Sequence, residues 1–220
     1  MHIPDGFLNA QTWAPAYLLS AGAIGYSIKK SREELSERQV PRLGVMAAFI
    51  FAAQMVNFPV IAGVASGHLL GAALAAIMLG PWSACIVIST VLAIQMLFFG
   101  DGGITALGAN MFNMAVIGVL TAYLLYSLLS RLLPGPMGRN VSVFVTAWFS
   151  VMASALLASL ELGLSHSVHQ VSLSFILKGM LGVHALIGIG EGLITVAVVN
   201  FMDKIGFAGG KGAGEGVSRS

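Results

Sequence analysis

The chain has 220 residues, 57% of them hydrophobic and only 9% charged, with a formal net charge of +2 and a mean hydropathy of +0.88. So apolar and weakly charged a composition excludes a soluble domain and a nucleic-acid surface, and it points to an integral membrane protein. The lone Cys85, set inside an apolar run, excludes a disulfide framework or a thiolate metal cluster.

The chain opens MHIPDGFLNA, and its first lysine is Lys29, so no cleavable signal peptide is read and Met1 is expected to stay in place. Histidine at position 2 is too bulky for the usual methionine trimming. The Met1 amine and the His2 amide nitrogen can close a five-membered ring on a metal. That amide and His2 Nδ1 close a six-membered one. Amine, deprotonated amide and imidazole form a planar, strong-field set, which favours nickel or copper over tetrahedral zinc. Pro4, Asp5 and Gly6 are expected to turn this segment back toward the bundle.

Runs long enough to span a bilayer fall near 13–29, 42–58, 68–80, 82–99, 104–130, 140–163 and 173–202, the third short and the fifth and seventh long enough to tilt or kink. The count of seven rests on a break at Gly80-Pro81, where proline removes the amide that would continue a helix. The fold class expected is therefore an all-α polytopic membrane bundle of about seven helices. Lys29, Lys30, Arg32, Arg38, Arg42, Arg131, Arg139, Lys204, Lys211 and Arg219 then lie on one side, which the positive-inside rule makes cytoplasmic. The N-terminus is expected outside and the C-terminus cytoplasmic, with NFPVIAGVASGH, FGDGG and LSHSVHQ outside as well. His68 thus begins the third run on the face that carries His2, as the natural fourth nitrogen. Gly67 would allow close backbone approach, and Ser66 would cap the following helix. Residues 1–203 read as a single transmembrane metal-binding domain and 204–220 as a flexible Gly-rich tail. The spacings Ala21/Gly25, Ala48/Ala52 and Gly71/Ala75 read mostly as internal helix packing, with at least one available to a partner.

The stretches MHIPDGFL, GVASGHLLGAALAAIMLGPW and LAIQMLFFGDGGITALGANMFNMA closely resemble the CbiM/NikM family, the substrate-binding membrane subunits of energy-coupling-factor (ECF) transporters for cobalt or nickel. The resemblance runs from residue 1 to about 200. It implies metal ligation by the Met1 amine, the His2 amide and imidazole, and His68 of the SGH motif, with Co2+ or Ni2+ as transported substrate. It also implies a prokaryotic inner-membrane location and four kinds of neighbour: a membrane coupling (T) subunit, two cytoplasmic ATPase subunits, a small accessory CbiN/NikN subunit, and lipid. The sequence has no GxxxxGK[ST] loop, so ATP hydrolysis would come from those partners and the chain itself is not read as an enzyme.

Other polar residues take lesser parts. Gln95, Asn110 and Asn113 would support a ligand histidine or bond helix to helix, the two asparagines sharing a face at i, i+3. Asp101, among Gly100, Gly102 and Gly103, reads as a turn or cap residue and not a ligand. Glu161, Lys178, His184 and Glu191 are costly in a bilayer and should face the bundle or an edge, more as structural pairs than as a proton path. Glu191 is expected to lie away from the metal. His166 and His169 read as loop residues or a capture pair. Two rival functions stay open: a carrier driven by protons or sodium through Glu161 and Glu191, and an intramembrane metalloenzyme, against which the missing general base argues.

Overall fold

Residues 1–36, 39–166 and 170–206 are described by a computed structural model. Residues 1–9 form no helix. They turn at Asp5-Gly6, where Gly6 has φ +84°, as the Pro-Asp-Gly chemistry predicts. Asn9 then caps α1 (Ala10–Glu34), its Oδ1 accepting from the Thr12 amide at 3.0 Å. At 25 residues α1 is about 37 Å long, enough to cross, although its Gln, Ser, Gly and Tyr residues make it less apolar than the later helices.

The expected second and third spans need correction. Helix α2 (Val40–Gln54) has 15 residues, about 22 Å, and stops four residues before the predicted end. The chain then enters a small antiparallel hairpin, β1 (Phe58–Val60) with β2 (Ala65–Gly67), placing Phe58 opposite Gly67 and Val60 opposite Ala65. The run 68–80 holds only α3 (Ala72–Leu79), whose eight residues cover about 12 Å of a core of roughly 30 Å. Its Ala72, Ala73, Leu74, Ala75 and Ala76 are all buried, so apolarity here serves the interior of the bundle. The expected Gly80-Pro81 break is present, with Gly80 at φ +79° and Pro81 opening α4 (Pro81–Phe99).

From 107 to 132 one long helix has three parts: α5 (Leu107–Met111), a π-helical stretch (Phe112–Gly118) and α6 (Val119–Leu132). Helices α7 (Gly135–Leu164) and α8 (Leu173–Lys204) complete the bundle and pack along one another. Gly188 and Gly192 of α8 receive Trp148 and Phe144 of α7 where a side chain would collide. Among the described residues four helices are long and apolar enough to cross a membrane: α4, the continuous 107–132 helix, α7 and α8. The chain is thus a helical membrane protein.

The two ends of α7 mark the two ends of the bundle. Near its C-terminus, Ser165 Oγ accepts from the Asn9 amide at 3.1 Å; near its N-terminus, Arg139 pairs with Asp203 of α8. The termini of the described chain are therefore about 45 Å apart along a 30-residue helix. Arg38, His169, Lys211, Arg219 and the Gly-rich tail fall outside the described residues.

Two packing expectations change. Ala21, Gly25, Ala48 and Ala52 are exposed, and only Gly71/Ala75 among the small-residue pairs is internal. Lys178 is exposed on α8, whereas Glu161, His184 and Glu191 all turn into the bundle.

Candidate metal centre

The first three residues are threaded into the protein. Met1 and Ile3 are 0% exposed and His2 is 3% exposed. Their main chain is paired on both sides: the Ser66 amide donates to His2 O at 3.2 Å and the Gly103 amide to Ile3 O at 3.0 Å. Asn110 completes the arrangement by mimicking a neighbouring strand. Its Oδ1 accepts from the Ile3 amide at 2.9 Å and its Nδ2 donates to Ile3 O at 3.0 Å. Asp5 anchors the far side of the turn, accepting from the amides of Ile104 at 2.9 Å and Thr105 at 2.7 Å. Gly103 is needed at this contact, since a β-carbon there would stand 2.7 Å from the Asp5 carboxyl carbon.

Three nitrogens of this segment converge on one atom. Ser66 Oγ lies 3.2 Å from the Met1 amine, 3.0 Å from the His2 amide nitrogen and 3.3 Å from His2 Nδ1. The amine also donates to Ser66 O. The His68 ring stacks on the His2 ring with centroids 4.4 Å apart and planes 23° apart. His68 Nδ1 is 2.7 Å from Leu69 O, which fixes the proton on Nδ1 and leaves Nε2 as a bare lone pair. That Nε2 is buried with no hydrogen-bond partner, and so is His2 Nε2. Burial pushes the pKa of the Met1 amine well below its ordinary 8.0, against the pull of Asp101. Burial first, and the neighbouring amino terminus second, push both His2 and His68 well below 6.5. Burial therefore favours the neutral form of all three nitrogen bases, the form in which such nitrogens can ligate.

Among the described residues no three His, Cys, Asp or Glu side chains gather as a conventional cluster. Two of the nitrogens that converge on Ser66 Oγ, the Met1 amine and the His2 amide, belong to the main chain.

The supporting residues divide differently from the sequence reading. Gln95 is fully buried and its amide approaches the His2 imidazole without closing a hydrogen bond of ordinary geometry. Asn110 holds Ile3, as described. Asn113 does not join them: its Nδ2 donates to Glu161 at 2.6 Å. Asn110 belongs to α5 and Asn113 lies at the start of the π-helical stretch, where it takes the helix-to-helix role that the sequence also allowed. Asp101 is more than a turn residue. Its Oδ1 stands 3.2 Å from His2 Nδ1 and its other oxygen accepts from Asn57 at 2.6 Å. Burial raises the pKa of Asp101, partly offset by the amino terminus and by Asn57. Ser66 does not cap α3, whose N-cap is Gly71 at φ +76°. It serves the terminal segment instead. Gly67 does permit close approach, but by Phe58 and Val60 of the facing strand, 2.9 and 3.0 Å from where a β-carbon would sit.

Two further residues lie near the site, Glu191 among them against expectation. His184 is 0% exposed, holds Met180 O with Nδ1 at 2.7 Å, and brings its ring toward the Ser66 main chain and His68. Glu191 accepts from the amides of Leu70 at 2.7 Å and Gly71 at 2.6 Å, two and three residues after His68. The sequence carried no signal for either contact, because both depend on where α8 lies against a loop over a hundred positions away. His166 is exposed, its Nδ1 2.9 Å from Val171 O.

Residues 2–207 match the model of the CbiM family, described as the cobalt uptake substrate-specific transmembrane region. The chain is 41% identical over 202 residues to the putative fused nickel transport protein NikMN of Archaeoglobus fulgidus, covering 92% of this chain and 65% of that longer protein. It is 35% identical over 212 residues to the cobalt transport protein CbiM of Thermosediminibacter oceani, covering 92% of this chain and 84% of that one. A crystal structure described as a truncated transition metal transporter superposes with a TM-score of 0.87 at 34% identity, over 93% of this chain and 99% of the other. Family model, relatives and fold agree: this chain belongs to the CbiM family of cobalt uptake transmembrane proteins.

Proposed function

We propose that the chain is the metal-binding membrane subunit of an ECF-type ABC transporter, taking up Co2+ or Ni2+ through four nitrogens: the Met1 amine, the His2 amide and Nδ1, and His68 Nε2. The observation that carries this reading is the convergence of the first three nitrogens on Ser66 Oγ, with the bare His68 ring stacked alongside. Nitrogen donors in a planar set suit nickel and low-spin cobalt, and geometry has to supply the selectivity because affinity alone favours copper. When His2 Nδ1 turns to the metal, its proton passes to Nε2, toward the waiting Gln95 amide. Asp101 then offsets charge beside the ion.

The site lies at the Asn9 end of the bundle and the basic Arg139 end lies opposite, which supports an external site with a cytoplasmic C-terminus in a multi-pass prokaryotic inner-membrane protein. Residues 1–203 act as one domain, with 204–220 as a cytoplasmic tail. Energy comes from two ATPase subunits through a coupling subunit. The exposed small residues Ala21 and Gly25 of α1, with Ala48 and Ala52 of α2, offer faces for close helix contact with it. A relative named as fused NikMN supports a small accessory partner of the CbiN/NikN type.

Metal titration of the purified chain, with metal analysis and N-terminal mass spectrometry, tests the site. Failure of Ni2+ and Co2+ to bind a chain with a free Met1 amine would remove the proposal. Uptake into liposomes containing this chain alone, driven by a proton or sodium gradient, would favour a secondary carrier in its place.

A further inference from the structure

We propose that Glu191 is a positioning residue for metal binding: from α8 its two carboxylate oxygens hold the main chain just beyond His68 and so set where that imidazole stands. The inference rests on the reading of His68 as a ligand.

The loop 68–71 crosses the bundle between β2 and α3 with its main-chain groups buried. Such groups need partners. Glu191 supplies two at once, Oε2 to the Leu70 amide at 2.7 Å and Oε1 to the Gly71 amide at 2.6 Å. Gln54 of α2 grips the same peptide from the other side, its Nε2 donating to Leu70 O at 2.7 Å. Both side chains are buried, Gln54 fully and Glu191 at 3% exposure. Two helices distant in sequence thus clamp one peptide. Gly71 adds a fixed bend: its φ is +76°, and a β-carbon there would lie 2.9 Å from Ile50. The bend and the clamp leave the His68 end of the loop little freedom.

A buried carboxylate costs more than an apolar side chain of similar size unless its hydrogen bonds are fully used. Here they are spent on two main-chain amides that lead into α3, where the helix start also favours negative charge. A cleft lined by Phe49, Gln54, Leu69, Glu191 and Thr195 borders the clamp. Ile50 packs against Gly71 on that side, and the carboxylate adds directional bonds to the two amides. Because Glu191 belongs to α8, any displacement of that helix moves the His68 loop with it.

Glutamine at 191 keeps one acceptor oxygen and puts an amide NH2 against the second main-chain N–H. Groups that orient a metal ligand are worth about 10–100-fold in affinity. The test is a double-mutant cycle read by Ni2+ calorimetry on the purified full chain, with detergent melting curves as the folding check. Glu191→Gln should weaken Ni2+ binding at least about 10-fold when His68 is present and less than about twofold in the His68→Ala background. Equal losses in both backgrounds would mean a general structural role and overturn the proposal. No loss from Glu191→Gln, with a clear loss from His68→Ala, would sink the proposal and leave the metal site standing. No loss from His68→Ala would remove the metal-site reading and this inference together. If Glu191→Gln does not fold, Gln54→Met probes the other half of the clamp: a His68-dependent loss of about threefold supports the proposal, and an additive or absent loss overturns it.

Discussion

At the Asn9 end of the bundle, polar groups from residues 1–5, 66–71, 95–110 and 184–191 meet, and the Nε2 atoms of His2, His68 and His184 are buried without partners. Along the C-terminal half of α7 a second buried polar region is built from facing helices: Asn113 donates to Glu161 at 2.6 Å, Ser154 Oγ donates to Asn113 O at 2.9 Å, and Ser150 Oγ donates to Gly118 O at 2.8 Å. Apart from Asn113 Oδ1, the second region satisfies itself. A buried polar group left open costs roughly 1–3 kcal/mol. The first region bears that cost at three imidazole nitrogens and at the Gln95 amide; the second bears it at Asn113 Oδ1. The unpartnered imidazoles thus gather where the metal site is proposed, and the network along α7 joins helices.

The largest effect should come from changing one atom at the open end. Adding one residue before Met1 turns the amine into an amide and forces an extra side chain into a space where Met1 is already 0% exposed. Ni2+ or Co2+ uptake should vanish, while a tag after residue 220 is harmless; uptake assays with immunoblots for membrane level and mass spectrometry of the terminus check it. Next comes a ranking. His2→Ala removes the arm of the chelate and should abolish binding, whereas His68→Ala leaves three nitrogens and should weaken it by about 10–100-fold. Calorimetry giving the reverse order would mean that His68, not the terminal segment, anchors the ion.

The two regions were not equally legible in the sequence. Met1 and His2 suggest the proposed chelate because their donors are adjacent in the chain, and SGH stands out as a motif. The Gly80-Pro81 break and the four long apolar helices were also readable, since each depends on local chemistry. The clamp on Leu70 and Gly71 was not, because a glutamate in an apolar run says nothing about which distant peptide it will meet. The run 68–80 misled for a related reason: an alanine-rich stretch buried in protein has the same hydropathy as one facing lipid. Asn113 makes the helix-to-helix bond that the sequence allowed as one of its two roles.

A smaller, graded effect concerns protons. Burial lowers the pKa of the Met1 amine from 8.0 and of His2 and His68 from 6.5. The unfolded or undocked segment then binds more protons than the docked one, so docking is fully stable above those ordinary values and weakens as pH falls below them. Burial favours the neutral amine and imidazoles in the docked protein, and with those neutral the one proton left for metal binding to release is that of the His2 amide. Ni2+ affinity should rise about tenfold per pH unit between roughly 7 and 8. A slope of two decades per unit, measured by titration at several pH values, would mean that the docked amine still carries its proton.

The smallest effect on the metal should come from the closed region, and it tests the comparison from the other side. Glu161→Leu removes the acceptor for Asn113 Nδ2, a bond of 2.6 Å between buried groups, and leaves that donor without a partner. The expected loss is about 1–3 kcal/mol of stability, seen as a lower melting temperature in detergent. Ni2+ affinity should stay within about twofold, because Glu161 touches neither the terminal segment nor the loop 66–71, and effects at sites without shared partners add independently. Transport by the assembled complex should persist at the level set by the amount of folded protein. Loss of transport from well-folded Glu161→Leu protein with intact metal affinity would give this carboxylate a part in ion coupling, and would move the chain toward the proton- or sodium-driven carrier.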